Sequence, residues 1–79
     1  MTEDYRHLEE KLLDVLEEAI LEEIASAARY RHALGLARDD EVRAMLEKLV
    51  HDEEAHERIL KERYHEIKKR LGLKVMKDK

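Results

Sequence analysis

The chain has 79 residues and a formal net charge of −4, with 46% charged and 43% hydrophobic residues. The absence of Cys excludes disulfides and thiolate metal ligands, and a composition with no Pro and only two Gly is typical of helices. No apolar run approaches the roughly 20 residues of a membrane span, and the acidic start, residues 1–4, is unlike the basic opening of a signal peptide. We therefore expect one cytoplasmic domain without a membrane or nucleic-acid partner.

The first predicted element is a long helix over residues 3–34. Helix-favouring residues run almost without interruption through this range, and Gly35 indicates its end. A loop over 35–39 follows. Asp39 or Asp40 can cap the next helix, because a short acidic side chain accepts a hydrogen bond from the first free backbone N–H groups.

The second predicted element is a helix over residues 40–71. Gly72 suits the left-handed position that follows a helix terminus, so residues 72–79 are predicted to be a tail. Two long helices joined by a short loop pack side by side in opposite directions. The predicted fold is therefore all-α: residues 1–79 form a single two-helix antiparallel hairpin.

Acidic residues interrupt the inward-facing apolar stripe of each predicted helix. Glu23 interrupts the first stripe, and Glu53 and His56 take two consecutive positions of the second. The other stripe residues are Leu12, Leu16, Ala19, Ala27, Tyr30 and Leu34 in the first helix and Val42, Leu46, Leu49, Leu60 and Ile67 in the second. Buried carboxylates and imidazoles need a compensating charge, which a metal ion can supply.

The first helix carries more apolar surface than one partner helix can cover, and a chain of this size forms only a small core. We therefore expect two hairpins to pair as a homodimer in a four-helix bundle. Glu23, Glu53 and His56 would then each occur twice, which is the ligand set of carboxylate-bridged di-iron bundles. Oxygen and nitrogen ligands without sulfur suit iron or manganese, and the residue types do not choose between them.

Two segments resemble the ferritin-like superfamily: EIASAARY over residues 23–30 and DEEAH over residues 52–56. The shared pattern has rubrerythrin-type spacing, with a Glu, a Tyr seven residues later and E-x-x-H thirty residues later. Rubrerythrins and ferritins carry two such helix pairs in one chain, whereas this chain carries one. It is therefore most similar to the encapsulated ferritins, over most of residues 19–60.

The resemblance implies a di-iron ferroxidase centre at the interface of a ferritin-like four-helix bundle. Such a centre oxidises Fe(II) to Fe(III) with dioxygen for iron storage and detoxification. By this resemblance Glu23 and His56 are terminal metal ligands, Glu53 bridges the metals and Tyr30 lies close to them, so all four are candidate catalytic residues. The family also implies higher assembly, as a decamer of dimers, and an encapsulin shell, which places the protein in the cytoplasm or inside an encapsulin nanocompartment.

The chain departs from that family at Ala25 and Arg29, where encapsulated ferritins carry an acid and a tryptophan of a proposed metal-access region. The ligand set is unchanged, but the access route and the ring-shaped decamer stay open. Two other functions stay open as well. One is a rubrerythrin-like di-iron peroxidase or oxidase, disfavoured because the chain lacks Cys for an electron-transfer iron; the other is a metal-free structural hairpin whose inward acids set the helix register.

Overall fold

A computed structural model describes residues 2–73, with side chains from Tyr5 onward. It contains two helices, α1 (Thr2–Leu36) and α2 (Asp40–Arg70), which pack along one another in an elongated hairpin of 56 × 26 × 13 Å. The predicted all-helical hairpin is confirmed. Across the described residues, neither helix combines the length and apolarity needed to cross a bilayer.

Helix α1 continues past Gly35 to Leu36, two residues beyond the predicted end at Leu34. A glycine inside a helix costs about 1 kcal/mol relative to alanine but does not forbid helical geometry. The last turn is held by a hydrogen bond from the Ala37 backbone N–H to the Ala33 carbonyl, at 3.0 Å. The loop is therefore shorter than predicted.

Asp39 is the N-cap of α2, and its carboxylate accepts a hydrogen bond from the Glu41 backbone N–H at 2.8 Å. The helix ends at Arg70, one residue before the predicted end. Gly72 adopts a φ of 74°, the left-handed conformation expected for it, and its N–H donates to the Lys69 carbonyl at 3.1 Å. The predicted tail from residue 74 onward lies outside the described residues.

The core is a narrow seam between the helices. It consists of five buried apolar residues, Leu13, Ile20, Ala27, Leu46 and Ile67. The predicted stripes used Leu12 and Val42, which are 44% and 39% exposed, and α1 is rotated so that Leu13 is buried instead of Leu12. Adjacent apolar pairs such as Leu12–Leu13 fit either rotation, so the apolar pattern alone did not determine which residue of the pair turns inward.

Polar contacts between the helices mark their register along the hairpin. Arg70 Nη2 lies 2.7 Å from Glu9 Oε2 near one end, and Arg31 pairs with Glu54 towards the other. Exposed ion pairs of this kind contribute little to the free energy of folding. The register that they mark is antiparallel, and it brings the middle of α1 opposite the E-x-x-H segment of α2.

Candidate metal centre

Glu23, Glu53 and His56 meet in the middle of the hairpin. Glu53 and His56 are three residues apart on α2 and therefore project from one face of that helix. Nδ1 of His56 lies 3.2 Å from Oε1 of Glu53 and 3.5 Å from Oε1 of Glu23, across the interface with α1. One potential ligand atom from each residue falls within 4.8 Å of the other two.

The three side chains differ in their exposure to solvent. Those of Glu53 and Glu23 are 18% and 25% exposed and lie largely between the helices. The His56 side chain is 57% exposed, so the ring lies at the edge of the helix pair. The sequence pattern had predicted an inward-facing ring. The cluster is therefore closed on the side of the two backbones and open towards the solvent beyond His56.

The two carboxyl groups influence each other's ionisation, since one oxygen of each lies within 4.8 Å of the other. Oε1 of Glu23 is buried and accepts no hydrogen bond from any described group. The pKa of Glu23 is raised, first by a hydrogen bond to Glu53 and then by burial and the charge of Glu53. The pKa of Glu53 is lowered, first because it accepts that hydrogen bond. Two carboxylates in one site oppose each other's ionisation, so loss of a proton from Glu23 is disfavoured while Glu53 is charged.

His56 also takes part in this electrostatic balance. Its hydrogen bond with Glu53 is the main cause that raises its pKa, and the charge of Glu23 acts in the same direction. The Ser26 hydroxyl, one turn after Glu23, is among the groups that lower the pKa of Glu53. Ser26 was not among the site residues predicted from the sequence, although it lies three residues after Glu23 and therefore on the same face of α1.

These residues fit a divalent metal ion. Two carboxylates and an imidazole are the hard and intermediate ligands that iron and manganese bind. Oε1 of Glu23 is a buried oxygen with no hydrogen-bond partner among the described residues, so it is available as a metal ligand. A cation bound between the two carboxyl groups would favour the ionised form of both. Three side chains do not complete an octahedral set, so the cluster in one chain can supply only part of the ligands.

Exposed apolar residues flank the open side of the cluster. On α1, steps of three and four residues lead from Leu8 to Glu23, and on α2 similar steps lead from Val42 through His56 to Ile59. Since His56 contacts Glu23, both rows lie on one side of the hairpin. We name this side the apolar face, defined by Leu8, Leu12, Val15, Val42, Met45 and Ile59, all of which are exposed.

Tyr30 is half-buried and lies two helical turns after Glu23, about 10 Å along the α1 axis. Its hydroxyl makes no hydrogen bond to any other described residue. A different tyrosine, Tyr64, is the one with a defined polar partner: its hydroxyl donates to Oε2 of Glu17 at 3.0 Å. Nothing in the spacing of Glu17 and Tyr64 along the sequence indicates this contact, which depends on the register of the hairpin.

Comparison with known proteins adds no relative to this picture. No family model, no curated protein and no solved structure shows a significant match to the chain. Any functional assignment therefore rests on the residues and on the geometry described above.

Proposed function

We propose that the protein is a dimeric ferroxidase that binds Fe(II) as its substrate and oxidises it with dioxygen. Two hairpins pair through the apolar face, which brings Glu23, Glu53 and His56 of each copy to a shared site. The site then holds four carboxylates and two imidazoles, enough to bind two iron ions. Iron storage and detoxification is the role that this reaction serves.

One observation carries the proposal: three metal-ligand side chains from two helices converge within 4.8 Å on the open side of the hairpin. A merely solvated acidic surface would spread its carboxylates apart, because like charges repel. Here Glu23 and Glu53 are held together and mostly shielded from water. The apolar face around them explains how a second copy would both cover exposed apolar surface and complete the ligand set.

The protein residues have separate tasks in this proposal. Glu53 and His56 bind metal from α2, one helical turn apart, and Glu23 binds from α1, so the site is held across the helix interface. Fe(II) uptake competes with protons for the two carboxyl groups and requires neutral His56. Two Fe(II) ions supply the two electrons that reduce one dioxygen to hydrogen peroxide, with two protons taken up. The negative charge of the four carboxylates favours the Fe(III) product.

The test is an anaerobic titration of the protein with Fe(II), followed by admission of air while ferric absorbance and oxygen consumption are recorded. We expect two irons per dimer and rapid oxidation on mixing with air. Glu53→Gln should lose at least about tenfold in iron affinity, since it removes a charged ligand from each half of the site. Hydrogen peroxide offered under anaerobic conditions distinguishes a peroxidase, which would oxidise the bound iron faster with peroxide than with dioxygen.

Glu47→Gln is the matched control, because Glu47 is an exposed acid on the same helix and the substitution removes the same charge. Its iron stoichiometry and oxidation rate should equal those of the unmodified protein. A dimer that takes up no iron would leave Glu23 and Glu53 as a carboxyl pair that sets the helix register. Equal loss in Glu53→Gln and Glu47→Gln would show that net charge, rather than the cluster, attracts the metal.

A further inference from the structure

A second feature lies on the opposite side of the hairpin from the apolar face. It is a groove of about 240 Å³ between the helices, which we name the Tyr64 groove. It is lined by Glu17, Ile20, Leu21, Lys61, Tyr64, His65 and Lys68. None of these residues belongs to the candidate metal centre, and the groove would remain accessible in a dimer formed through the apolar face.

The floor of the groove is apolar, and its rim carries two lysines, of which Lys61 is paired with Glu57 at 2.8 Å. Ile20 is buried at its base, and Leu21 is largely exposed beside it. Lys68 Nζ lies 5.4 Å from the centre of the Tyr64 ring and forms no ion pair with any described carboxylate. A lysine that lies over an aromatic ring without a carboxylate partner among the described residues retains most of its capacity to bind an anion.

The other polar groups of the groove are consistent with an anionic ligand. Glu17 is the one acid in the lining, and its carboxylate already accepts the hydrogen bond from the Tyr64 hydroxyl. Nδ1 of His65 is buried without a hydrogen-bond partner. A proton on Nδ1 would have no acceptor among the described residues, which favours the tautomer with the ring proton on Nε2.

We infer that the Tyr64 groove binds a small carboxylate with an apolar body, such as a medium-chain fatty acid. The aliphatic part would lie on Ile20 and Leu21, and the carboxylate would pair with Lys68 beside His65. The volume is below the roughly 300–1,000 Å³ of sites that enclose drug-sized ligands, so the ligand must be small. This inference does not depend on metal binding or on the proposed ferroxidase activity.

The test is a titration of the metal-free, ¹⁵N-labelled protein with octanoate, followed by backbone amide shifts in NMR spectra. We expect saturable shifts confined to α1 around Ile20 and Leu21 and to α2 around Tyr64 and Lys68, with a Kd of about 1 mM for so open a site. Lys68→Met keeps the aliphatic stem and removes the charge, so it should weaken octanoate binding about tenfold. The neutral analogue octan-1-ol should bind the unmodified protein more weakly than octanoate does.

Lys48→Met is the matched control, because Lys48 is exposed on the same helix and does not line the groove. It should bind octanoate as the unmodified protein does. The inference is wrong if the shifts do not saturate, if they map to Leu8 and Leu12 on the apolar face, or if Lys68→Met and Lys48→Met bind equally. Glu53→Gln should bind octanoate normally even if the metal site proves absent, so the two proposals can fail independently.

Discussion

Substitution of Val15 by Asp should dissociate the proposed dimer while the hairpin itself stays folded. Val15 belongs to the apolar face and is 59% exposed in the single hairpin, so a second copy has most of its surface left to bury. Burial of the exposed surface of Val15 in the interface stabilises the dimer by about 1 kcal/mol per copy. A carboxylate held at the interface costs at least about 1 kcal/mol more per copy.

Because two-fold symmetry places each substitution in the interface twice, the total is about 4 kcal/mol, or close to a thousandfold in the dimer Kd. Light scattering after size-exclusion chromatography, over a range of protein concentrations, measures this change. Far-ultraviolet circular dichroism reports whether the helices persist. Iron stoichiometry per chain should fall together with the dimer fraction, although Glu23, Glu53 and His56 are all unchanged.

Leu21→Asp is the control for that experiment. Leu21 is 63% exposed on the same helix, close to the value for Val15, but it lines the Tyr64 groove on the opposite side. It should leave the dimer intact and weaken octanoate binding. If Leu21→Asp dissociated the dimer and Val15→Asp did not, the interface would lie on the groove side and the shared metal site would be refuted.

Three further predictions concern the site and the helix ends. The pKa of Glu23 is raised, so ionisation of this side chain destabilises the folded state. Glu23→Gln should therefore raise the Tm of the metal-free protein at pH 8 but change it little at pH 3, where the carboxyl group is protonated in both the folded and the unfolded state. Equal changes in Tm at the two pH values would contradict this prediction. Fe(II) uptake should weaken as pH falls through the raised pKa of His56 and release protons measurable by pH-stat, and uptake independent of pH would exclude His56 as a ligand. Gly35→Ala should raise the Tm, because Gly35 lies within α1 and alanine favours the helix. Gly72→Ala should lower the Tm, because Gly72 has a φ of 74° that alanine adopts only with strain. Thermal denaturation should show a change of about 4 °C or more in each case.

The general fold followed from the sequence because local signals agreed. Uninterrupted helix formers indicate two long helices, Asp39 indicates the start of the second after a short connection, and Gly72 indicates its end. The structure has all three features. The rotation of α1 about its axis could not be predicted in the same way. Leu12 and Leu13 are equally apolar, and only the packing against α2 decides which of them is buried.

The candidate site was partly accessible to sequence reasoning for a related reason. Glu53 and His56 share a helix, so their separation follows from helical geometry alone. Their approach to Glu23 depends on the register between the helices, which the stripes do not determine; the sequence placed all three residues inward, and the family resemblance grouped them as ligands. The exposure of His56 at the edge was not predicted, because a stripe position alone does not separate the centre of a two-helix seam from its rim.

Arg43, a residue of α2, holds the end of α1 in place. Its Nη1 donates to the Leu34 carbonyl at 2.7 Å and to the Ala37 carbonyl at 3.3 Å, so a side chain from the second helix caps the end of the first. The chain reversal is therefore held by Arg43 from α2 in addition to the Asp39 cap within the connecting segment. Because the entropy of closing a loop grows slowly with its length, a longer or different linker could be grafted here, carrying a fluorescent or affinity tag, without displacing the helices that hold the centre.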